Sequence, residues 1–146
     1  MYTMDTCSVQ NSVDRVMNSR MSGQYSHAVT GLHITLFQVI TNEGSGFNIY
    51  TGVFTCPETG MYLFSFSIGE RGNAQQSWAS LKVNSENIIN AVAETLTETD
   101  DDQGSNTVVI RLQDGDSVWV SGNYDNHHVE GSEFRISSFT GVFLFS

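Results

Sequence analysis

The segment Met61-Tyr62-Leu63-Phe64-Ser65-Phe66-Ser67-Ile68 constrains the fold more than any other stretch of the chain. Tyr62, Phe64, Phe66 and Ile68 recur with period two, and Ser65 and Ser67 mark the other face. Successive side chains of a strand point to opposite sides of a sheet, so this run reads as a half-buried β-strand. The last segment, Phe139-Thr140-Gly141-Val142-Phe143-Leu144-Phe145, is apolar on both faces. Such a strand must be covered twice, by the core on one side and by another sheet or a neighbouring subunit on the other.

Thr107 to Leu112 and Ser117 to Ser121 read as a further pair of strands. The Gln113-Asp114-Gly115-Asp116 segment between them carries the Asp-Gly step of a hairpin turn. Residues 88–96 fit two readings. Ile88, Ile89, Val92 and Leu96 match a helical face, yet Ile, Val and Thr are stiff side chains that suit a strand equally. One Pro, Pro57, and thirteen Gly punctuate the 146 residues. Many short strands separated by Gly and Asn, without strong helices, indicate an all-β sandwich or jelly roll. Residues 1–26 differ in character, being polar and rich in Met, Ser and Asn. Val9, Val13, Val16 and Met17 fall near helical spacing there, so a polar leader or short helix is expected before a globular domain over 27–146.

Sixteen Asp and Glu against six Lys and Arg give a net charge of -10. That balance disfavours nucleic acid and anionic membranes, which select clustered Lys and Arg. It suits divalent cations, basic partners or uncharged ligands such as sugars, and it also serves plain solubility. No apolar run approaches the ~18–20 residues needed to cross a bilayer. The opening Met1-Tyr2-Thr3-Met4-Asp5-Thr6-Cys7 lacks the basic start and apolar stretch of a secretory signal, as in a chain trimmed to its mature form or one not exported by the usual route. The two cysteines, Cys7 and Cys56, form no CxxC pair and are too few for a disulfide scaffold or zinc cluster. One bridge, two thiols, or an interchain bond from Cys7 all fit the sequence.

Residues 36 to 66 resemble the globular head domain of complement component 1q, a family related in fold to tumour necrosis factor. The positions that carry the resemblance are Asn42, Phe47, Phe54, Gly60, Tyr62, Phe64 and Phe66, with Leu36 replacing the family's first aromatic. Thr51-Gly52-Val53-Phe54-Thr55-Cys56-Pro57 looks like the family's turn into its central strand. Leu81-Lys82-Val83-Asn84, Gly115-Asp116-Ser117-Val118-Trp119-Val120 and Ser138-Phe139-Thr140-Gly141-Val142-Phe143-Leu144 match further blocks, the last with Val142 as an extra residue. The resemblance covers about residues 27–146. It implies a ten-stranded jelly-roll sandwich packed as a compact homotrimer, which would account for a terminal strand that is apolar on both faces. Family members often carry a collagen stalk. No Gly-x-y repeat occurs here, so multivalency is expected to come from the trimer.

Three polar clusters are candidates for function. Glu94, Glu98, Asp100, Asp101 and Asp102 place five carboxylates within nine residues, which repel unless solvated, paired or bridged by a hard cation. The spacing is not that of an EF-hand, and one loop cannot easily supply the six to eight oxygens that calcium takes. By position, Glu94 and Asp102 fall where some members of the resembled family hold calcium, and Glu94, Asp100, Asp101 and Asp102 are the expected metal-binding set. A solvated acidic loop is the plainer alternative. The second cluster is Tyr124, Asp125, Asn126, His127, His128 and Glu130, whose aromatic, amide, imidazole and carboxylate groups can hold a sugar by stacking and hydrogen bonds. An ordinary polar loop competes with that reading. Arg71 adds a cation in a third polar loop over 69–76, otherwise a strand connector. Trp78 reads as part of the following strand and Trp119 as core rather than a ligand platform.

Enzyme motifs are missing: no HExxH, no Walker loop, no nucleophile elbow, and Gly44-Ser45-Gly46 lacks the helix a dinucleotide site needs. The expectation is therefore a secreted, trimeric recognition protein of innate immunity, lectin-like, binding microbial polysaccharide without membrane insertion. The rival is a tumour-necrosis-factor-like or adipokine-like signalling ligand for a protein receptor, and a weaker third is a structural or secretory-matrix protein.

Overall fold

The computed structural model describes residues 16–20, 23–24, 38–71, 76–122, 130–131 and 136–146. Two five-stranded antiparallel sheets face each other. The first has the order β3 (Gln38–Asn42), β1 (Val16–Arg20), β12 (Ser138–Phe145), β6 (Gly60–Arg71), β9 (Asp101–Leu112). The second has the order β4 (Phe47–Asn48), β5 (Val53–Thr55), β10 (Ser117–Gly122), β7 (Gln76–Val83), β8 (Glu86–Glu94). A two-residue ladder joins β2 (Gly23–Gln24) to β11 (Glu130–Gly131). Where ten strands were expected, the described residues form these twelve, ten of them in the two main sheets.

The alternating run read from the sequence is the middle of β6, which pairs with β9 along its whole length and with β12 on its other side. Its even-numbered residues face inward. Tyr62, Phe64 and Phe66 are buried with Phe47, Phe54, Phe139 and Phe143 to form an aromatic core. Phe54 meets Phe64 edge-on at 5.6 Å and Tyr62 meets Phe143 edge-on at 5.2 Å, the arrangement that ring quadrupoles favour. The Tyr62 hydroxyl, at the rim, donates to the Glu58 carbonyl at 2.8 Å, so burial of the ring leaves its polar atom satisfied.

Three expectations need correction, and one open reading is resolved. Val16 and Met17 lie in β1, within the first sheet and paired with β12, rather than in a helix. Of the two readings open for residues 88–96 the strand holds: residues 86–94 are β8, with Ala91 and Ala93 facing the core. β9 and β10 are not a hairpin: β9 belongs to the first sheet and β10 to the second, and the 113–116 turn carries the chain from one to the other. Gly115, at a φ of 87° that an L side chain resists, donates from its N–H to the Cys56 carbonyl, and the Cys56 N–H donates to Asp116. These bonds dock the turn on the neighbouring 55–60 loop, so its chemistry serves a crossover. Trp119 is half-buried on the outer face of β10, because Val118 and Val120 on either side of it take the core.

The sheets close together along β8 and β9, where each contributes an edge strand. The Asn106 Nδ2 donates to the Asn90 carbonyl at 2.9 Å, and the Glu94 N–H donates to the Asp102 carboxylate at 2.8 Å. Midway between these bonds Gly104 faces Val92 so closely that a Cβ would stand 1.9 Å from the Val92 carbonyl oxygen. Side chains of β9 thus satisfy backbone groups that an open β8 edge would otherwise present.

Candidate functional site at one end of the sandwich

Strands β6, β8 and β10 finish, and β7, β9 and β12 begin, at the same end of the sandwich, here the upper end. Arg71 closes β6, Glu94 closes β8, Asp101 opens β9, and the 123–129 segment leaves from the end of β10. The three clusters read from the sequence, far apart along the chain, therefore attach at one end of the fold. Antiparallel pairing brings Arg71 opposite Asp101, and Glu70 opposite Asp102. Tyr124, Asp125, Asn126, His127 and His128 lie outside the described residues. Glu130 is placed through its backbone in β11, and Arg71 through its backbone in β6.

Glu94, Glu98, Asp101 and Asp102 are exposed, and Asp100 is half-buried. The Asp100 N–H donates to the Thr97 carbonyl, and the Thr97 and Thr99 hydroxyls lie 3.2 Å apart, so the 94–101 loop is built around its threonines. Asp102 uses one carboxylate oxygen on the Glu94 N–H. Among the described residues no three carboxylate, imidazole or thiol groups converge to hold a metal ion.

Sequence reasoning missed Glu70. It was grouped with the polar 69–76 connector, yet it lies in β6 with no exposed surface. Its Oε2 accepts a hydrogen bond from the Ser77 hydroxyl, and its Oε1 has no partner among the described residues. The signal was present: Glu70 continues the inward set Tyr62, Phe64, Phe66, Ile68 at the same period. Beside it, the Gly69 N–H donates to the Ser137 hydroxyl at 2.9 Å, and the Ser67 hydroxyl donates to the Ile136 carbonyl at 2.9 Å. The chain entering β12 is thus fastened to β6 beneath the upper end. Elsewhere, Cys56 is buried with its Sγ donating to the Glu58 carbonyl at 3.0 Å; Cys7 lies outside the described residues.

The C1q domain model matches residues 17–144. Complement C1q tumor necrosis factor-related protein 3 of Mus musculus is 32% identical over 112 residues, covering 77% of this chain and 44% of the relative. Caprin-2 of Danio rerio is 33% identical over 105 residues, covering 72% of this chain and 11% of the relative. The chain spans less than half the length of the curated relatives it matches. Among solved structures, the globular domain of zebrafish complement 1qA protein superposes with a TM-score of 0.73 at 19% identity, covering 90% of this chain and 98% of that one. Murine APRIL at pH 5.0 gives 0.69 at 13% identity, covering 88% and 98%.

Proposed function

Because the chain belongs to the C1q domain family, whose domains are non-enzymatic ligand proteins, we propose that it acts as a homotrimeric, secreted, lectin-like recognition module of innate immunity. The observation that carries the trimer is the outward face of the first sheet. Leu63 lies in register with Val109 on one side and Val142 on the other, and Met61 lies opposite Phe145. Val109 is 51% exposed and Phe145 is 60% exposed, so this apolar band lies open on the protomer. A band of that kind on a sheet already covered on its inner face needs a partner, and C1q and tumour-necrosis-factor domains are generally trimeric.

In this reading the trimer presents three upper ends on one face. Each binds a microbial polysaccharide weakly through Arg71, Tyr124, Asp125, Asn126, His127, His128 and Glu130, and rigid display of three copies supplies avidity. Calcium, if used, is shared between copies at Glu94, Asp100, Asp101 and Asp102. Among the described residues no helix is long and apolar enough to cross a membrane. Glycan-array binding by the purified chain, with calcium and with a chelator and with mass measured by light scattering, tests the proposal. Trimeric protein binding a glycan class supports it. Loss of binding on chelation adds the metal, and binding that survives chelation removes it.

The second reading, a trimeric signalling ligand for a protein receptor, is favoured by the likeness of the fold to murine APRIL and to the Eiger tumour necrosis factor of S. frugiperda, at TM-scores of 0.69. Saturable binding to one cell-surface protein, with no glycan bound on the array, selects it over the lectin.

A further inference from the structure

Both tryptophans of the chain lie on the outer face of the second sheet, away from the upper-end loops. Trp119 projects outward between buried Val118 and Val120, and Trp78 does so between Ser77 and Ala79, neither of which has exposed surface. Both indoles are half-buried. The Trp78 ring is oriented by its Nε1, which donates to the Gln76 Oε1 at 2.7 Å. Trp119 pairs with Lys82 across β7, and Trp78 lies four residues further along that strand, about 13 Å at the usual strand rise.

Between the two tryptophans, Ser121 lies opposite Ser80, and Ser80 opposite Asn90. The Ser80 hydroxyl donates to the Asn90 side chain at 2.6 Å, so these polar groups are tied down within the sheet. Residues this small leave room for flanking indoles to lie against the sheet rather than stand off it. The face is also unusual in charge. On a chain of net charge -10, the described outward side chains of β5, β10 and β7 include one cation, Lys82, and no carboxylate, and the edge strand β8 adds Glu94 opposite Gln76, where the acidic upper end begins. That combination disfavours a cationic partner, which the acidic loops would attract instead. It fits an uncharged ligand with flat apolar faces and hydroxyl edges.

We propose that this face is a second glycan-contact surface, in which Trp78 and Trp119 stack on sugar rings of a neutral polysaccharide and Lys82 donates to their hydroxyls. Sugar rings present C–H faces to an aromatic plane and hydrogen-bonding groups at their edges, which matches two indoles on one sheet face with an ammonium beside Trp119. The proposal rests on the glycan reading above but assigns the contact to different residues.

Because the chain has two tryptophans and both lie here, its intrinsic fluorescence reports on this face alone. The full chain is titrated with laminarin, a soluble neutral β-glucan, and with yeast mannan, following indole emission and bound polymer together. The expected result is a blue shift on binding, with Trp78→Thr lowering affinity about tenfold while Trp78→Phe, which keeps a ring, retains most of it. Circular dichroism and light scattering confirm that each variant is folded and of unchanged mass. Polymer that binds without moving the emission, and equally well to Trp78→Thr, overturns this surface and leaves the upper-end lectin standing. No binding to either polymer or to the array overturns both. A fall in mass for folded Trp78→Thr assigns the face to contact between copies and overturns the proposal.

Discussion

At the lower end of the sandwich, Asn42 closes the connection between β3 and β4 with two bonds, its Nδ2 donating to the Phe47 carbonyl and its Oδ1 accepting from the Phe47 N–H. Asn84 and Asp116 hold each other at 2.7 Å across two turns of the same end. At the upper end, Asp102 accepts from the Glu94 N–H, while Glu94 and Glu98 present exposed carboxylates. Polar side chains near the lower turns are used to fix backbone. Those at the upper end face outward in number, on a frame held by serines at Ser67, Ser137 and Ser138. Backbone-fixing side chains are therefore concentrated in the lower turns, and exposed carboxylates at the upper rim.

Gly104→Ala strains this division most, because it lies on the seam that supports the upper rim without being part of it. Its Cβ would enter the Val92 backbone, which cannot rotate away as a side chain can. Separating the two edges should cost about 3 kcal/mol, read by chemical denaturation. A loss below about 1 kcal/mol means that the seam flexes and that the upper rim is not rigidly supported.

Asn42→Ala comes next. It removes two bonds at once and leaves the Phe47 N–H and carbonyl to find water, so a loss of about 1–2 kcal/mol is expected, with glycan binding unchanged. Were binding to fall as well, the lower and upper ends would be coupled and the comparison would fail.

Much of this was legible in the sequence. The period-two run placed β6 and its inward ring set, and Glu70 was the next member of that series. It escaped notice because a carboxylate is seldom fully buried and its neighbours Arg71 and Gly72 look like a loop. The helix-like spacing of Ile88 and Ile89 has a local cause. Leu81 pairs with Ile89 and Lys82 with Asn87, so Ile88 is a bulged residue that puts two apolar side chains in succession. The Asp-Gly step between β9 and β10 marked a turn correctly but not which sheet the chain would enter, since pairing partners are set by the distant strands β5, β6 and β7. Val118-Trp119-Val120 gave no hint from hydropathy alone which of its faces is inside.

Glu70 offers the next test. A buried carboxylate with one hydroxyl donor among the described residues is poorly solvated, and an amide of the same shape keeps the acceptor for Ser77 without the charge. Glu70→Gln should raise stability by about 1 kcal/mol in thermal unfolding. Destabilisation instead would show that the carboxylate is matched by a group at the upper end, and would make it part of the rim's chemistry. Glu98→Gln, on the exposed loop, should move stability by less than about 0.5 kcal/mol.

The smallest effect belongs to Asp116, and it is one of pH. The Gln113 N–H and then the Asn84 amide hold its carboxyl below the ordinary value of 3.8, against a weaker opposing pull from burial. A carboxylate whose folded value is depressed adds stability above its unfolded value and loses that contribution as pH falls through the folded one. The stability difference between the wild type and Asp116→Asn should therefore be full at neutral pH, begin to shrink as pH falls past the ordinary carboxyl value, and be lost as pH falls through the depressed folded one. Because the turn is at the surface, added salt should reduce the difference further. A difference that stays constant across the acid range would mean that the turn is held by geometry rather than charge. The lower end would then owe its rigidity to the asparagines alone.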